Sequence, residues 1–113
     1  TGQDFASRRY RRLRSDLAAA LDEHPALFQA SGHDHSVQVL EAPVPAARWV
    51  LVSGSGIFPG GTVVSKIPST RYATSKAGFL RVRLSRRGDP PHLTAIEATR
   101  KGVAKETFAV DLR

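Results

Sequence analysis

The chain has 113 residues, enough for one small domain, and its apolar fraction of 41% is that of a globular protein rather than a disordered one. It contains no cysteine, which excludes disulfides and thiolate metal sites, so any metal ion would have to be bound by histidines and carboxylates. The net charge of +7 favours anionic partners such as nucleic acid, anionic lipid or phosphorylated compounds.

The first predicted element is an amphipathic helix over residues 7–23. Ser7 is the expected N-cap, and a His-Pro dipeptide directly after residue 23 is expected to end the helix, because the residue before proline is pushed out of the α region. Its apolar residues recur at helical spacing: Tyr10, Leu13, Leu17 and Leu21.

Three strands are predicted next, at residues 26–31, 36–42 and 47–56. The first is a short apolar run between a proline and a glycine, which is typical of a buried strand. The second alternates in polarity, and Pro43 and Pro45 are expected to end it. The third ends in a loop of glycines and serines.

A long loop with no element of its own is predicted over residues 54–76, since this stretch is rich in glycine, proline, serine and threonine. The last third predicts an antiparallel meander of three strands at residues 78–85, 92–99 and 106–113. The expected fold class is therefore α+β, with one N-terminal helix followed by five or six mostly antiparallel strands.

The stretch Gly32-His33-Asp34-His35 is the best candidate for a site. If it is extended, His33 and His35 point to the same side, about 6.6 Å apart along the strand, and could bind one ion or one each of two ions. Gly32 is expected to permit the sharp turn that exposes both rings. Two solvated loop histidines are the alternative, because a catalytic zinc takes about three protein ligands and no carboxylate lies at a companion spacing.

The sequence around this turn, HPALFQASGHDHSVQVLE, resembles the last metal-binding motif of the calcineurin-like metallophosphoesterases, in which a strand ends in Gly-His-x-His. The resemblance is greatest to a bacterial branch of that family. There an apolar strand precedes GHDHS, a strand containing Gln-Val follows, and the next strand ends in Ser-Gly-x-Gly. The matching segments here are Ala26–Ala30, Gly32–Ser36, Gln38–Val39 and Trp49–Gly56.

The resemblance implies that His33 and His35 bind different ions of a dinuclear centre of divalent metals (Mn, Fe, Zn or Ni), which hydrolyses phosphate esters. It assigns no catalytic or cofactor-binding residue besides these two metal ligands. It implies a four-layer α/β/β/α sandwich, of which residues 1–113 would form the C-terminal portion. The earlier motifs of the family are absent, so the chain is expected to be inactive by itself and to have the N-terminal part of the same domain as its partner.

The alternative function is a stand-alone basic binding module for nucleic acid or an acidic partner, because five arginines fall within seven residues: Arg8, Arg9, Arg11, Arg12 and Arg14. They lie on the helix side opposite Tyr10 and Leu13, as on an ordinary solvated face, so no sequence-specific nucleic-acid surface is expected. No apolar stretch reaches the roughly 20 residues that a membrane span needs. We therefore expect no membrane span in this segment.

Overall fold

The computed structural model describes residues 7–44, 47–56 and 61–113. These residues form a helix and seven strands, which confirms the α+β class and adds strands to the expected five or six. The helix α1 (Arg11–Glu23) follows a 3₁₀ turn at Arg8–Tyr10. The strands are β1 (Ala26–Ser31), β2 (Val37–Val44), β3 (Ala47–Ser53), β4 (Thr70–Thr74), β5 (Gly78–Arg83), β6 (His92–Ala98) and β7 (Ala104–Asp111).

The strands form two sheets. The first has the order β1-β3-β2-β4, and the second has the order β5-β6-β7. Strand β1 pairs with β3 in parallel, and every other ladder is antiparallel, as expected. The predicted C-terminal meander is confirmed, because its three strands pair in chain order.

The core lies between the two sheets. Alternate residues of each strand point to one face, so Val39, Trp49 and Leu51 of the first sheet share a cluster with Leu93 of the second. Phe108, Val110 and Leu112 alternate along the last strand and the residue after it, and all three pack in this cluster. The Trp49 indole N–H also donates to the Arg113 carbonyl at 3.2 Å, which joins the first sheet to the end of the chain.

Helix α1 buries none of its residues. Its apolar stripe is open to solvent, with Leu13 48% and Leu17 39% exposed, so no described part of the chain covers it. Ser7 precedes the helical segment as expected, but its hydroxyl makes no capping hydrogen bond, so that part of the prediction is wrong. No helix of the described residues is long and apolar enough to cross a membrane.

Three expectations about the strands are wrong. Strand β1 has the predicted bounds but is mostly exposed rather than buried, because it is an edge strand with a neighbour on one side only. Strand β2 continues through Pro43 to Val44, and its register with β3 shifts between Glu41 and Val44, where proline is tolerated. Strand β4 lies inside the predicted loop; its threonines and tyrosine have high strand propensity. Pro45 and residues 57–60 of that loop lie outside the described residues.

Candidate metal site

The loops that carry the candidate site lie together at one end of the first sheet. Strand β1 runs parallel to β3, and Ser31 pairs with Val52, so both strands finish at this end. Strand β2 begins there, because Val37 is the partner of both Ser53 and Thr74. The histidine turn, the loop after β3 and the residues after β4 therefore lie side by side. Strand ends of this kind are common positions for functional side chains.

The backbone between β1 and β2 makes two consecutive three-residue turns. The Asp34 N–H donates to the Gly32 carbonyl at 3.0 Å, and the Ser36 N–H donates to the Asp34 carbonyl at 2.7 Å. His33 is central in the first turn, with a φ of 74°, the value of the rare classic γ-turn. His35 is central in the second turn, at a negative φ. Each histidine thus occupies the corner of a tight turn.

Two premises of the sequence interpretation are wrong here. The segment is not extended, so the spacing of side chains along a strand does not apply to His33 and His35. Gly32 does not supply the left-handed conformation, which is found at His33. A Cβ at Gly32 would meet only the Ser53 carbonyl oxygen, at an ordinary 3.9 Å. His33 is the only non-glycine residue with positive φ among those the structure describes, and a side chain there costs on the order of 1–2 kcal/mol.

The side chains at this turn are available to a ligand. His33, Asp34 and His35 are all exposed, as expected for a strand-end site. Two exposed imidazoles fit part of a ligand set for a divalent transition metal. Within residues 7–44, 47–56 and 61–113, no group of three or more His, Asp or Glu side chains is placed to hold a metal ion. The described residues therefore provide an incomplete set of donors.

Two neighbouring segments hold the turn from either side. The Gly54 N–H, after β3, donates to the Ser36 carbonyl at 3.1 Å. The Thr62 N–H donates to the His35 carbonyl at 2.8 Å. The approach is close enough that a Cβ at Gly54 would overlap the Asp34 carbonyl oxygen, and one at Gly61 would overlap that of His35. The long loop thus borders the histidine turn directly.

Two buried serines support these segments, and the sequence interpretation assigned them no role. Ser36 is 1% exposed, and its hydroxyl accepts a hydrogen bond from the Gln38 amide at 2.9 Å. Ser55 is fully buried, and its hydroxyl donates to the Lys76 carbonyl at 2.9 Å. Ser55 therefore ties the loop after β3 to the residues after β4. The sequence features that could have indicated them are the position of Ser36 directly after His35 and that of Ser55 within the Ser-Gly-Ser-Gly stretch.

The other two histidines and the clustered arginines lie elsewhere. His92 lies on β6 with its side chain 38% exposed, and its Nδ1 makes a 2.7 Å hydrogen bond with Asp111 on the neighbouring strand. His24 is exposed directly after the helix. Four of the clustered arginines are exposed on the helical segment, whereas Arg14 is half-buried and donates to the Ser7 carbonyl. No hydrogen bond or ion pair shown for the described residues connects them to the histidine turn.

Comparison with protein-family models, with curated proteins and with solved structures finds no match to this chain.

Substitutions at His33 and His35 should distinguish the strained turn from the ordinary one. At His33, glycine relieves the positive φ, so we expect His33→Gly to be more stable than His33→Ala by about 1 kcal/mol. At His35, φ is negative and glycine only adds freedom to the unfolded chain, so His35→Gly should be less stable than His35→Ala. Urea unfolding of the four variants measures both differences. A His33→Gly variant that is less stable than His33→Ala would argue against a strained His33.

Proposed function

We propose that this chain contributes the last metal-ligand motif of a dinuclear-metal phosphoesterase. In this proposal residues 1–113 are the C-terminal portion of a calcineurin-like α/β/β/α sandwich, and His33 and His35 are ligands to different metal ions. The observation that carries the proposal is the turn itself, where two exposed histidines occupy the corners of consecutive tight turns, one of them with a left-handed backbone.

The strain at His33 supports a functional role for the turn. A left-handed backbone at a residue with a side chain persists only where its surroundings enforce it, and such residues cluster at binding and catalytic sites. A glycine could occupy a solvated loop corner at lower cost. An imidazole that has to reach a ligand from this corner gives a reason to retain histidine there.

The metal ions, when bound, would activate water for in-line attack on a phosphate ester. The chain's own contribution is narrower. His33 and His35 provide neutral nitrogen donors, which suit Mn, Fe, Zn or Ni. Positive side chains would raise the local concentration of an anionic ester. Lys76 lies at the same end of the sheet and is 68% exposed, even though its ammonium group is 3.4 Å from Glu97.

Two uncovered surfaces support a partner for this chain. Helix α1 has no buried residue, and its exposed leucines cannot be explained by packing within the described residues. Strand β1 has no partner on its outer edge among the described strands, and it contains no charged residue and no proline, although natural proteins usually protect such edges. We propose that the N-terminal part of the same domain covers both surfaces and provides the missing ligands.

The sequence encoded upstream of Thr1 tests this proposal without a biochemical assay. The proposal requires an Asp-x-His motif, then Gly-Asp-x-x-Asp and Gly-Asn-His-Asp/Glu motifs, before the helix. These motifs would supply the bridging carboxylate and the remaining ligands. An initiation codon directly before Thr1, with none of these motifs in the same reading frame, would contradict the proposal.

The rival function, a basic binding module, is favoured by the exposure of Arg8, Arg9, Arg11 and Arg12. We expect these arginines to bind nucleic acid without sequence preference, because they contact phosphate charge from a solvated helix face. Fluorescence anisotropy at physiological salt, with several DNA and RNA sequences, measures the preference. The matched control replaces Arg86 and Arg87, exposed arginines far along the chain, by alanine. The test variant replaces Arg8, Arg9, Arg11 and Arg12 by alanine. If the unsubstituted chain prefers one sequence, and the test variant loses that preference while the control keeps it, the result favours the binding module.

A further inference from the structure

The conformation of the histidine turn depends on support from outside the turn. A left-handed His33 is unfavourable by itself, and the two three-residue turns contain only one hydrogen bond each. Two backbone hydrogen bonds from other described segments reach this turn, and they come from the N–H groups of Gly54 and Thr62, which donate to the carbonyls of Ser36 and His35. These two donors belong to segments that are distant along the chain from the turn.

Each of these hydrogen bonds depends on a close backbone approach that only glycine permits, at Gly54 itself in the first and at Gly61, next to Thr62, in the second. A Cβ at Gly54 would overlap the Asp34 carbonyl, so only glycine allows this approach after β3. A Cβ at Gly61 would overlap the His35 carbonyl and lie 2.7 Å from the Ser75 carbonyl. Gly61 thus fills the narrow space between the histidine turn and the residues after β4. Gly54 has no positive φ, so the close approach, rather than backbone freedom, accounts for a glycine there.

We propose that Gly54 and Gly61 are positioning residues for the metal ligands, and that the Gly61–Thr62 segment is mechanically coupled to metal binding at His35. They allow two neighbouring segments to lie against the turn, and so they fix the backbone positions from which the imidazoles of His33 and His35 project. This inference rests on the metal-binding role proposed for those two histidines. Groups that orient metal ligands typically contribute about 10-fold to 100-fold to metal affinity.

The test is a Zn²⁺ titration of the 113-residue chain, followed by NMR with residue-specific assignments. In the unsubstituted chain, Zn²⁺ should shift the ring resonances of His33 and His35. It should also shift the amide resonance of Thr62, whose N–H donates a hydrogen bond to the His35 carbonyl. In Gly61→Ala, we expect Zn²⁺ affinity to fall at least about 10-fold in the molecules that remain folded.

Two control variants separate positioning from general stability. Gly56→Ala makes the same substitution where a Cβ meets nothing within 4 Å, so its Zn²⁺ affinity should not change. Leu93→Ala destabilises the core from a fully buried position in the second sheet, so its folded fraction should bind Zn²⁺ normally. Equal affinity in Gly61→Ala and Gly56→Ala would overturn the inference.

The outcomes also distinguish this inference from the proposed function. If Zn²⁺ leaves both histidine rings unshifted in the unsubstituted chain, the metal role itself fails. If the rings shift but the Thr62 amide does not, the metal role stands and the coupling is refuted. This second readout needs no substitution, so it decides the question even if Gly61→Ala does not fold.

Discussion

We expect His33→Ala and His35→Ala each to reduce phosphodiesterase activity at least about 100-fold in a longer protein that contains the upstream motifs. In the proposed dinuclear centre, each substitution would remove a ligand of one ion, and the two ions would then no longer be held together at the spacing of about 3.5–4 Å that two-metal hydrolysis requires. The measurement is kcat/KM for a nitrophenyl phosphodiester with added Mn²⁺.

The control for these substitutions is His92→Ala. His92 is also a histidine with accessible surface, but it belongs to the second sheet and bonds to Asp111. We expect its loss to leave kcat/KM within about twofold of the unsubstituted enzyme, since surface substitutions away from a site usually have small effects. A loss of activity equal to that of His33→Ala would show that histidine removal acts through folding.

The second large effect is expected in the core. Leu93 is fully buried in the cluster that joins the two sheets, and its replacement by alanine removes apolar contacts from both of them. We expect Leu93→Ala to lower the free energy of unfolding by about 2–5 kcal/mol. Equilibrium urea unfolding, monitored by Trp49 fluorescence, measures this change.

Leu84→Ala is the matched control for the core substitution, because Leu84 is 70% exposed directly after β5. The same atoms are removed, but they are already in contact with water, so we expect a change below about 0.5 kcal/mol. Equal changes at Leu84 and Leu93 would contradict a core located between the two sheets.

Local patterns in the sequence predicted the elements well where the chain's own neighbours determine them. The C-terminal meander was predicted correctly because its strands alternate in polarity with a period of two, as at Phe108 and Val110. Each of these strands also pairs with its neighbour along the chain. The exposed position of His33 and His35 at the end of β1 was also predictable, since the apolar run ends directly before a glycine. These features depend on sequence separations of a few residues.

The errors concern features that depend on distant residues. The apolar composition of β1 indicated burial, but burial depends on a strand's position in the sheet, and β1 lies at an edge. Strand β4 is stabilised by pairing with β2, some thirty residues earlier, and the glycines and prolines around it concealed this. Helix α1 has the pattern of a packed helix and yet buries nothing within the described residues.

The geometry of the candidate site was the least predictable feature. The sequence assigned the sharp turn to Gly32, because glycine normally occupies left-handed positions. The structure places that conformation at His33, where contacts from Gly54 and Thr62 hold the turn. Histidine is enriched at positive φ compared with most residues, but the conformation is still uncommon, so local propensity did not single out His33. Such a conformation follows from tertiary contacts, and these were not visible in the spacing of the residues.

The most direct test of the central claim is nitrophenyl phosphodiester hydrolysis by the 113-residue chain and by the longer protein, side by side, with Mn²⁺. Two imidazoles without a bridging carboxylate do not offset the cost of stripping water from two divalent ions and holding them together. We therefore predict weak metal binding and no turnover above buffer for the short chain, and clear turnover for the longer one. Robust turnover by the short chain would contradict the account, and so would a longer protein whose activity is indifferent to His33→Ala and His35→Ala.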